Sequence, residues 1–353
     1  MPEEYEKSEE ELRPSAIQLS AFSHIHPCAP TQTQLLRHAK NLNSMKLTNL
    51  LTLTLLGVSS ALLSLGSASA QILVANIGNT IGEYNSTNGA AISVPLVNDP
   101  GVSGPYGIAI SGNTLFVANM GYHTIGEYNA TTGAAINASF ITGLSSPSSI
   151  ALSGNILFVA NMANSTIGEY EASTGDPINA SFITGVSSPM DILISGNNLF
   201  VANATNNSIG EYTLSADGLS VTSSNSSFVT GLKGPHGLAV SGTNLFVANA
   251  NNNTIGEYNA TSGSAINASL VSGYVISPYG IAVSGTNLFV ANYGNNTIGE
   301  FNATTGAVIN ASLVSGVTGP TSIAFLAVPE PSTYVLFGLG ALMLVIGYRL
   351  RTA

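Results

Sequence analysis

The sequence predicts an all-β chain folded as a six-bladed β-propeller with four-stranded antiparallel blades, and three observations predict it. A unit of about 43 residues recurs six times. Each unit holds four short apolar runs bounded by turn residues. The first and last units are incomplete in complementary ways, so the two ends of the repeat region complete one another.

The recurring signals fix the unit. Val-Ala-Asn begins at Val74, Val117, Val159, Val201, Val247 and Val290, at spacings of 42 to 46. Ile-Gly-Glu follows in every copy, at Glu83, Glu127, Glu169, Glu211, Glu257 and Glu300, and a proline opens a further segment at Pro105, Pro147, Pro189, Pro235, Pro278 and Pro320. In the unit opened by Pro105, Ile108 to Ser111 is a first apolar run, closed by Gly112 and Asn113. Leu115 to Asn119 and Thr124 to Tyr128 are the second and third, Asn129 to Gly133 reads as a turn, and Ala135 to Ile141 is the fourth. No window within the unit is long or periodic enough for a helix. A small sheet stacked between two neighbours buries both faces, so continuous apolar strands are expected rather than clean alternation.

The join decides between a ring and an open stack. Residue 71 begins directly in a second strand, Ile72 to Asn76, and the region ends in an orphan first strand after Pro320. Placing residues 321–326 beside the strands of residues 72–97 completes blade one and closes the ring with the C-terminal strand innermost. An open solenoid would need capping repeats instead.

Outside residues 71–328 the chain changes character. Met45 to Ala70 carries Lys46, an apolar stretch and the small triplet Ala68, Ser69, Ala70, the order of a secretory signal, which predicts a mature chain beginning at Gln71. Residues 1–44 hold six Glu, four of the eight basic residues and the sole Cys, Cys28. They read either as sequence upstream of a true start at Met45 or as an unusually long n-region, and a peptide from them in a cell extract would exclude the first. At the other end, Pro329, Glu330 and Pro331 precede an apolar stretch, residues 334–348, and then Arg349 and Arg351. That stretch is expected to be a transmembrane helix anchoring the chain, short against a hydrocarbon core of roughly 30 Å. The order resembles the PEP-CTERM sorting signal, here residues 329–353. The resemblance implies a Gram-negative exported protein, transiently inner-membrane-anchored, whose tail is recognised by an exosortase-like sorting protease and which ends at the cell surface or outside it. A plain membrane anchor with unrelated prolines is the alternative.

The repeats, such as Gly-Pro-Tyr-Gly-Ile-Ala-Ile-Ser (104–111) with Leu-Phe-Val-Ala-Asn (115–119) and Asn-Ala-Thr-Thr-Gly (129–133), resemble NHL and YVTN-type propeller repeats and the streptogramin-lyase-like family. Those relatives often carry a basic residue where this chain has Thr124. Because the superfold hosts lyases, hydrolases and pure binding modules, the resemblance leaves function open.

Composition removes several function classes. Between Gln71 and Glu330 there is one base, Lys233, against twelve acids, which leaves a nucleic-acid backbone almost nothing to pair with. A single Cys excludes disulfides within the chain, and no glycine-rich stretch precedes a helix, so no phosphate loop is present.

In such a blade the loops between second and third strands share one face with the segments entering the next blade. That face collects Asn-rich loops, including Met120 to His123 and Tyr293 to Asn296, with the post-proline residues Tyr106, Ser148, Met190, Asp191, His236, Tyr279 and Thr321. Aromatic platforms beside amides suit sugar or peptide surfaces, which makes Tyr106, His123, Met190, Asp191, His236, Tyr279 and Tyr293 the candidate binding face. Asn and Gly also serve tight turns, and the aromatics also serve to cap a channel. The fourth unit alone carries a longer turn, Thr213 to Ser224, a candidate partner site. His123 and His236 fall half a ring apart, so neither completes a nucleophile-base pair with the other. The lyase resemblance implies a histidine-centred site, for which His236 is the candidate. No metal-ligand spacing is present; calcium alone is left open, through Asp99 and Asp191. The six glutamates are expected to accept blade-to-blade hydrogen bonds or face solvent rather than form an acidic ring. Asn-x-Ser/Thr triplets, including Asn85, Asn129, Asn137, Asn259 and Asn302, leave glycosylation chemically open. The reading that results is an exported noncatalytic binding or structural propeller, associated with the cell surface, extracellular polysaccharide or a surface protein. A lyase-like or hydrolase-like enzyme and a surface-layer component are the alternatives.

Overall fold

A computed structural model describes residues 70–326. The chain separates into two units, Met1–Leu65 and Gly66–Ala353, and the described residues lie in the second. The leader at 1–44, most of the export signal at 45–70 and the sorting signal at 329–353 lie outside the described residues. So does the apolar stretch at 334–348. Among the described residues no helix is long and apolar enough to cross a membrane, only strands and turns being present, so the expectation of a transmembrane helix is withdrawn.

Six sheets of four antiparallel strands form from residues 71 to 326. Blade two shows the pattern: Pro105–Ser111, Thr114–Asn119, Thr124–Asn129 and Ala135–Ile141 run in order from the central cavity outward. Blade one joins the two ends. Pro320–Leu326 pairs antiparallel with Gln71–Asn76, with Leu326 opposite Gln71 and Ile323 opposite Val74. The Thr321 hydroxyl donates to the Ala75 carbonyl at 3.2 Å and to the Pro105 carbonyl of blade two at 2.9 Å, so the closing strand binds both its own sheet and the next.

Apolar continuity holds where cover exists. In every blade the second strand, such as Leu115, Phe116, Val117 and Ala118, is buried on both faces. Six clusters fill six blade-to-blade interfaces, and the one that joins blades six and one, around Ile72, Val74, Phe289 and Ile323, is built like the rest. Hydrophobic cover is thus distributed around the ring. The outer strands depart from the expectation: Ala135 to Asn137 are exposed, because no layer of the described residues lies beyond them. There Ile125 faces Ile141 while Glu127 faces Asn137, so four steps on the outer strand match two on its partner. This bulge, tied by the Ser139 N–H donating to Asn137 Oδ1 at 3.2 Å, disrupts an edge that would otherwise template sheet growth.

The turn between third and outer strands locks neighbouring blades. Gly133 has φ +69°, and a Cβ there would overlap the Leu96 carbonyl of the preceding blade. Gly89 meets the Leu313 carbonyl of blade six in the same way, across the seam.

Candidate functional site

The inner strands of all six blades wall a cavity of about 300 Å³. Its mouth is shaped by the residue after each opening proline: Tyr106, Ser148, Met190, His236, Tyr279 and Thr321. Two of the small ones turn between blades. Ser148 is buried and its hydroxyl donates to the Pro189 carbonyl at 2.7 Å, the same link that Thr321 makes to Pro105. Because Thr321 leaves the mouth open at blade one, Tyr279 of blade six and Tyr106 of blade two reach toward each other, with ring centroids 5.9 Å apart.

Aromatic stacking then builds one wall of the mouth. His236 lies on Tyr279 at 4.3 Å, and Tyr279 lies on Tyr293 at 4.3 Å with the planes 10° apart. Neither gap admits a ligand ring, so Tyr279 offers its edge and hydroxyl rather than a platform, a correction to the expectation of open aromatic faces. His236 Nδ1 is 3.0 Å from the Gly234 carbonyl, which can only accept, so the ring carries its proton on Nδ1 and presents Nε2 as an acceptor. Burial pushes the His236 pKa down, against the opposing effect of that hydrogen bond, and so favours the neutral form. Burial raises the Tyr106 phenol well above its ordinary range, and Tyr279, Tyr293 and Asp191 nearby add to it.

Asp191 stands one residue further along, where the other blades carry Gly107, Ser149, Gly237, Gly280 and Ser322. Its Oδ1 accepts the Ser149 hydroxyl of blade three at 2.6 Å and the Ile192 N–H at 2.9 Å, and its Oδ2 accepts the Leu238 N–H of blade five at 2.7 Å. One carboxylate thus ties three blades together. Burial raises its pKa from 3.8 to about 6, with the three hydrogen bonds opposing. The Ser149 link escaped the sequence reading; the signal for it was an acid in a position otherwise reserved for Gly and Ser.

The structure gathers Tyr106, Met190, Asp191, His236 and Tyr279 around the cavity, with Tyr293 stacked behind them. It does not bring His123 there. His123 has φ +60°, and its Nδ1 accepts the Ser146 N–H at 3.0 Å. Asn79, Asn207, Asn253 and Asn296 hold the same left-handed conformation and accept from Gly104, Gly234, Ser277 and Gly319 at 2.7 to 2.8 Å. His123 is therefore one of a series of clamps between a loop and the segment entering the next blade, and Asn dominates the series because it tolerates φ > 0 and accepts through its amide. Asp99 is not at the mouth either; its Oδ1 caps its own turn at the Gly101 N–H, 2.7 Å away. Among the described residues no group of three or more His, Cys, Asp or Glu is placed to hold a metal.

The repeated glutamates lie inside the blades. Glu211, Glu257 and Glu300 each accept at 2.7 Å from the side chain of Asn198, Asn244 or Asn287 on the second strand of the same blade. The expected blade-to-blade bond is replaced by this diagonal pair within one sheet. Blade three has Ile156 at the Asn position, and buried Glu169 Oε1 finds no hydrogen-bond partner among the described residues.

Comparison with known proteins agrees with both halves of the chain. Residues 327–351 match the PEP-CTERM protein-sorting motif. No curated protein sequence matches the chain. Among solved structures, a chain of the "Crystal structure of Nidogen/Laminin Complex" aligns with a TM-score of 0.59 at 16% identity, covering 73% of this chain and 99% of its own, a likeness of fold alone. The computationally designed Ika8 protein aligns with a TM-score of 0.42 at 14% identity, covering 67% of this chain and 70% of its own.

Proposed function

We infer that this exported PEP-CTERM-motif propeller, handled by an exosortase-type sorting system, is a noncatalytic binding module whose mouth takes a hydroxyl-rich ligand, the end or branch of an extracellular polysaccharide. The observation that carries the reading is the stacked wall His236–Tyr279–Tyr293 facing Tyr106 over the cavity. It presents an imidazole acceptor and phenol edges, the donor and acceptor mixture that sugar hydroxyls match. A volume of about 300 Å³ is at the small end of ligand pockets, which suits a chain end rather than a broad polymer face.

The enzyme alternative asks for a second polar group near 3 Å from His236. Among the described residues the hydrogen bond of His236 goes to its own Gly234 carbonyl, and the hydroxyls of Ser148, Ser149 and Thr321 are committed to neighbouring blades. These commitments favour binding over turnover. We further propose cleavage of the export signal before Gln71 and display on the surface of a Gram-negative cell; the intact mass of the exported form reads the new N-terminus.

Calorimetric titration with oligosaccharides released from the host's own extracellular polysaccharide tests the binding reading. Tyr279→Ala, which removes the middle of the stack, is expected to weaken binding at least tenfold, roughly 1.4 kcal/mol. Absence of binding, or new reducing ends accumulating with time, would overturn it.

A further inference from the structure

The Asn-x-Ser/Thr triplets have no part in the binding reading, and the fold sorts them. Transfer of a glycan to such a triplet needs both the asparagine amide and the hydroxyl two residues on to be reachable. On the mouth face Thr166, Ser208, Thr254 and Thr297 are buried, and each donates its hydroxyl to the asparagine of its own triplet at 2.9 to 3.0 Å. Asn203 is itself buried. In the turns on the opposite face Asn85, Asn129, Asn259 and Asn302 are half-buried, and each Oδ1 accepts the backbone N–H groups two and three residues on. Asn259 and Asn302 accept a further bond from the Ser262 and Thr305 hydroxyls, and the Thr131 hydroxyl donates to Asn113 at 2.7 Å. In each of these triplets the amide, the hydroxyl or both fall short of open exposure.

The outer strands are different. Blades two to six carry a triplet there, at Asn137, Asn179, Asn225, Asn267 and Asn310, with Ser139, Ser181, Ser227, Ser269 and Ser312 as the hydroxyl residues. All of these residues are exposed. Each asparagine stands opposite the repeated glutamate of its blade and opens the bulge, in which four outer-strand steps match two on the partner. Within the bulge the serine N–H donates to the asparagine Oδ1 at 3.1 to 3.2 Å. That bond fixes the planar amide with its oxygen toward the chain, so Nδ2 is directed away from it. Neither Nδ2 nor the serine hydroxyl has a hydrogen-bond partner among the described residues. The bulge also breaks the regular ladder, so an approaching enzyme meets a local bend at the rim instead of a flat paired strand. Blade one keeps the bulge but has Ser93 opposite Glu83, and so lacks the acceptor.

We propose that Asn137, Asn179, Asn225, Asn267 and Asn310 are N-glycosylation acceptors, taking sugar from a lipid-diphosphate-linked oligosaccharide. The amide nitrogen attacks the anomeric carbon. The N–C bond forms as the bond from that carbon to the diphosphate oxygen breaks, the lipid diphosphate leaves with the electron pair, and a base of the transferase takes the amide proton. The sugars then fringe the outer edge of these sheets, while the mouth lies at the inner strands and ligand entry stays clear.

The full chain is expressed in its own host, and the exported protein is analysed by intact mass and glycopeptide mapping. Sugar is expected on the outer-strand asparagines, wholly or partly occupied, and on no other triplet. Ser139→Ala keeps Asn137 and the backbone N–H that orients it. This variant is expected to leave the Asn137 peptide bare with an unchanged circular dichroism spectrum, whereas Ser139→Thr is expected to keep the sugar. A bare polypeptide mass, sugar on asparagines of the mouth loops or turns, or sugar retained on Asn137 in Ser139→Ala overturns the proposal.

Discussion

Two carboxylates show how differently one kind of residue is treated within a repeat. Asp191 is half-buried at the cavity wall and accepts three hydrogen bonds. Its folded pKa, raised from 3.8 to about 6, lies above the unfolded value, so the folded state holds the proton more tightly. Its contribution to stability is therefore fully present below pH 3.8 and is lost as pH rises through about 6, a difference of about 3 kcal/mol. Asp191→Asn is expected to remove that part of the slope in urea unfolding measured from pH 4 to 7; an unchanged slope would show that the carboxylate is not buried as described. Glu169 has one oxygen without a partner, and burial first, then Asp217, raises its pKa. Glu169→Gln is expected to stabilise the protein by about 1 kcal/mol at pH 7, whereas Glu257→Gln, which weakens a charge-assisted bond from Asn244, is expected to destabilise it. Thermal unfolding of the two variants side by side distinguishes them.

At the scale of the element, near-identical strands are set apart by what lies beside them. The turn glycines make the point. Gly112 has φ +58° with nothing near its missing Cβ, whereas Gly133 has φ +69° and sits against the Leu96 carbonyl. Gly112→Ala is expected to cost roughly 1 kcal/mol through backbone conformation alone. Gly133→Ala is expected to cost roughly 3 kcal/mol or more, since the preceding blade must move as well. Equal losses in denaturant unfolding would contradict the close contact between blades. The outer strand follows the same logic: covered on one edge only, it carries a bulge and exposed Ile136 where the second strand carries a buried apolar run.

At the largest scale described, residues 71–326 form a ring whose stability depends on the join between residues 71–76 and 320–326. Pro320–Leu326 contributes a full set of ladder partners to Gln71–Asn76, and the interface cluster at that seam matches those elsewhere. Removing residues 320–326 is expected to abolish cooperative unfolding, because blade one loses its inner strand and Thr321 no longer reaches Pro105. A permutant of residues 71–326 with those ends linked and the chain opened at Gly143, between blades two and three, is expected to fold, since Leu326 already faces Gln71. Near-ultraviolet circular dichroism and thermal melting check both; a truncated chain that melts as sharply as the parent would mean that the ring is not closed by this strand.

The repeat period, the four runs in each unit and the offset at the ends were enough to read the blades, their number and the closing strand, because strand pairing within a blade is local and repeats with the sequence. Grouping of the post-proline residues at one mouth followed from the same regularity. Side-chain partners across blades were not legible: His123 as a clamp on Ser146, Asp191 between Ser149 and Leu238, and the stack that closes both faces of Tyr279. Those contacts join residues 23 to 47 positions apart or rings from different blades, and they depend on how far each blade turns toward its neighbour. Periodicity therefore determined the ring, while radial packing decided which of its polar groups hold blades together and which remain free to meet a ligand.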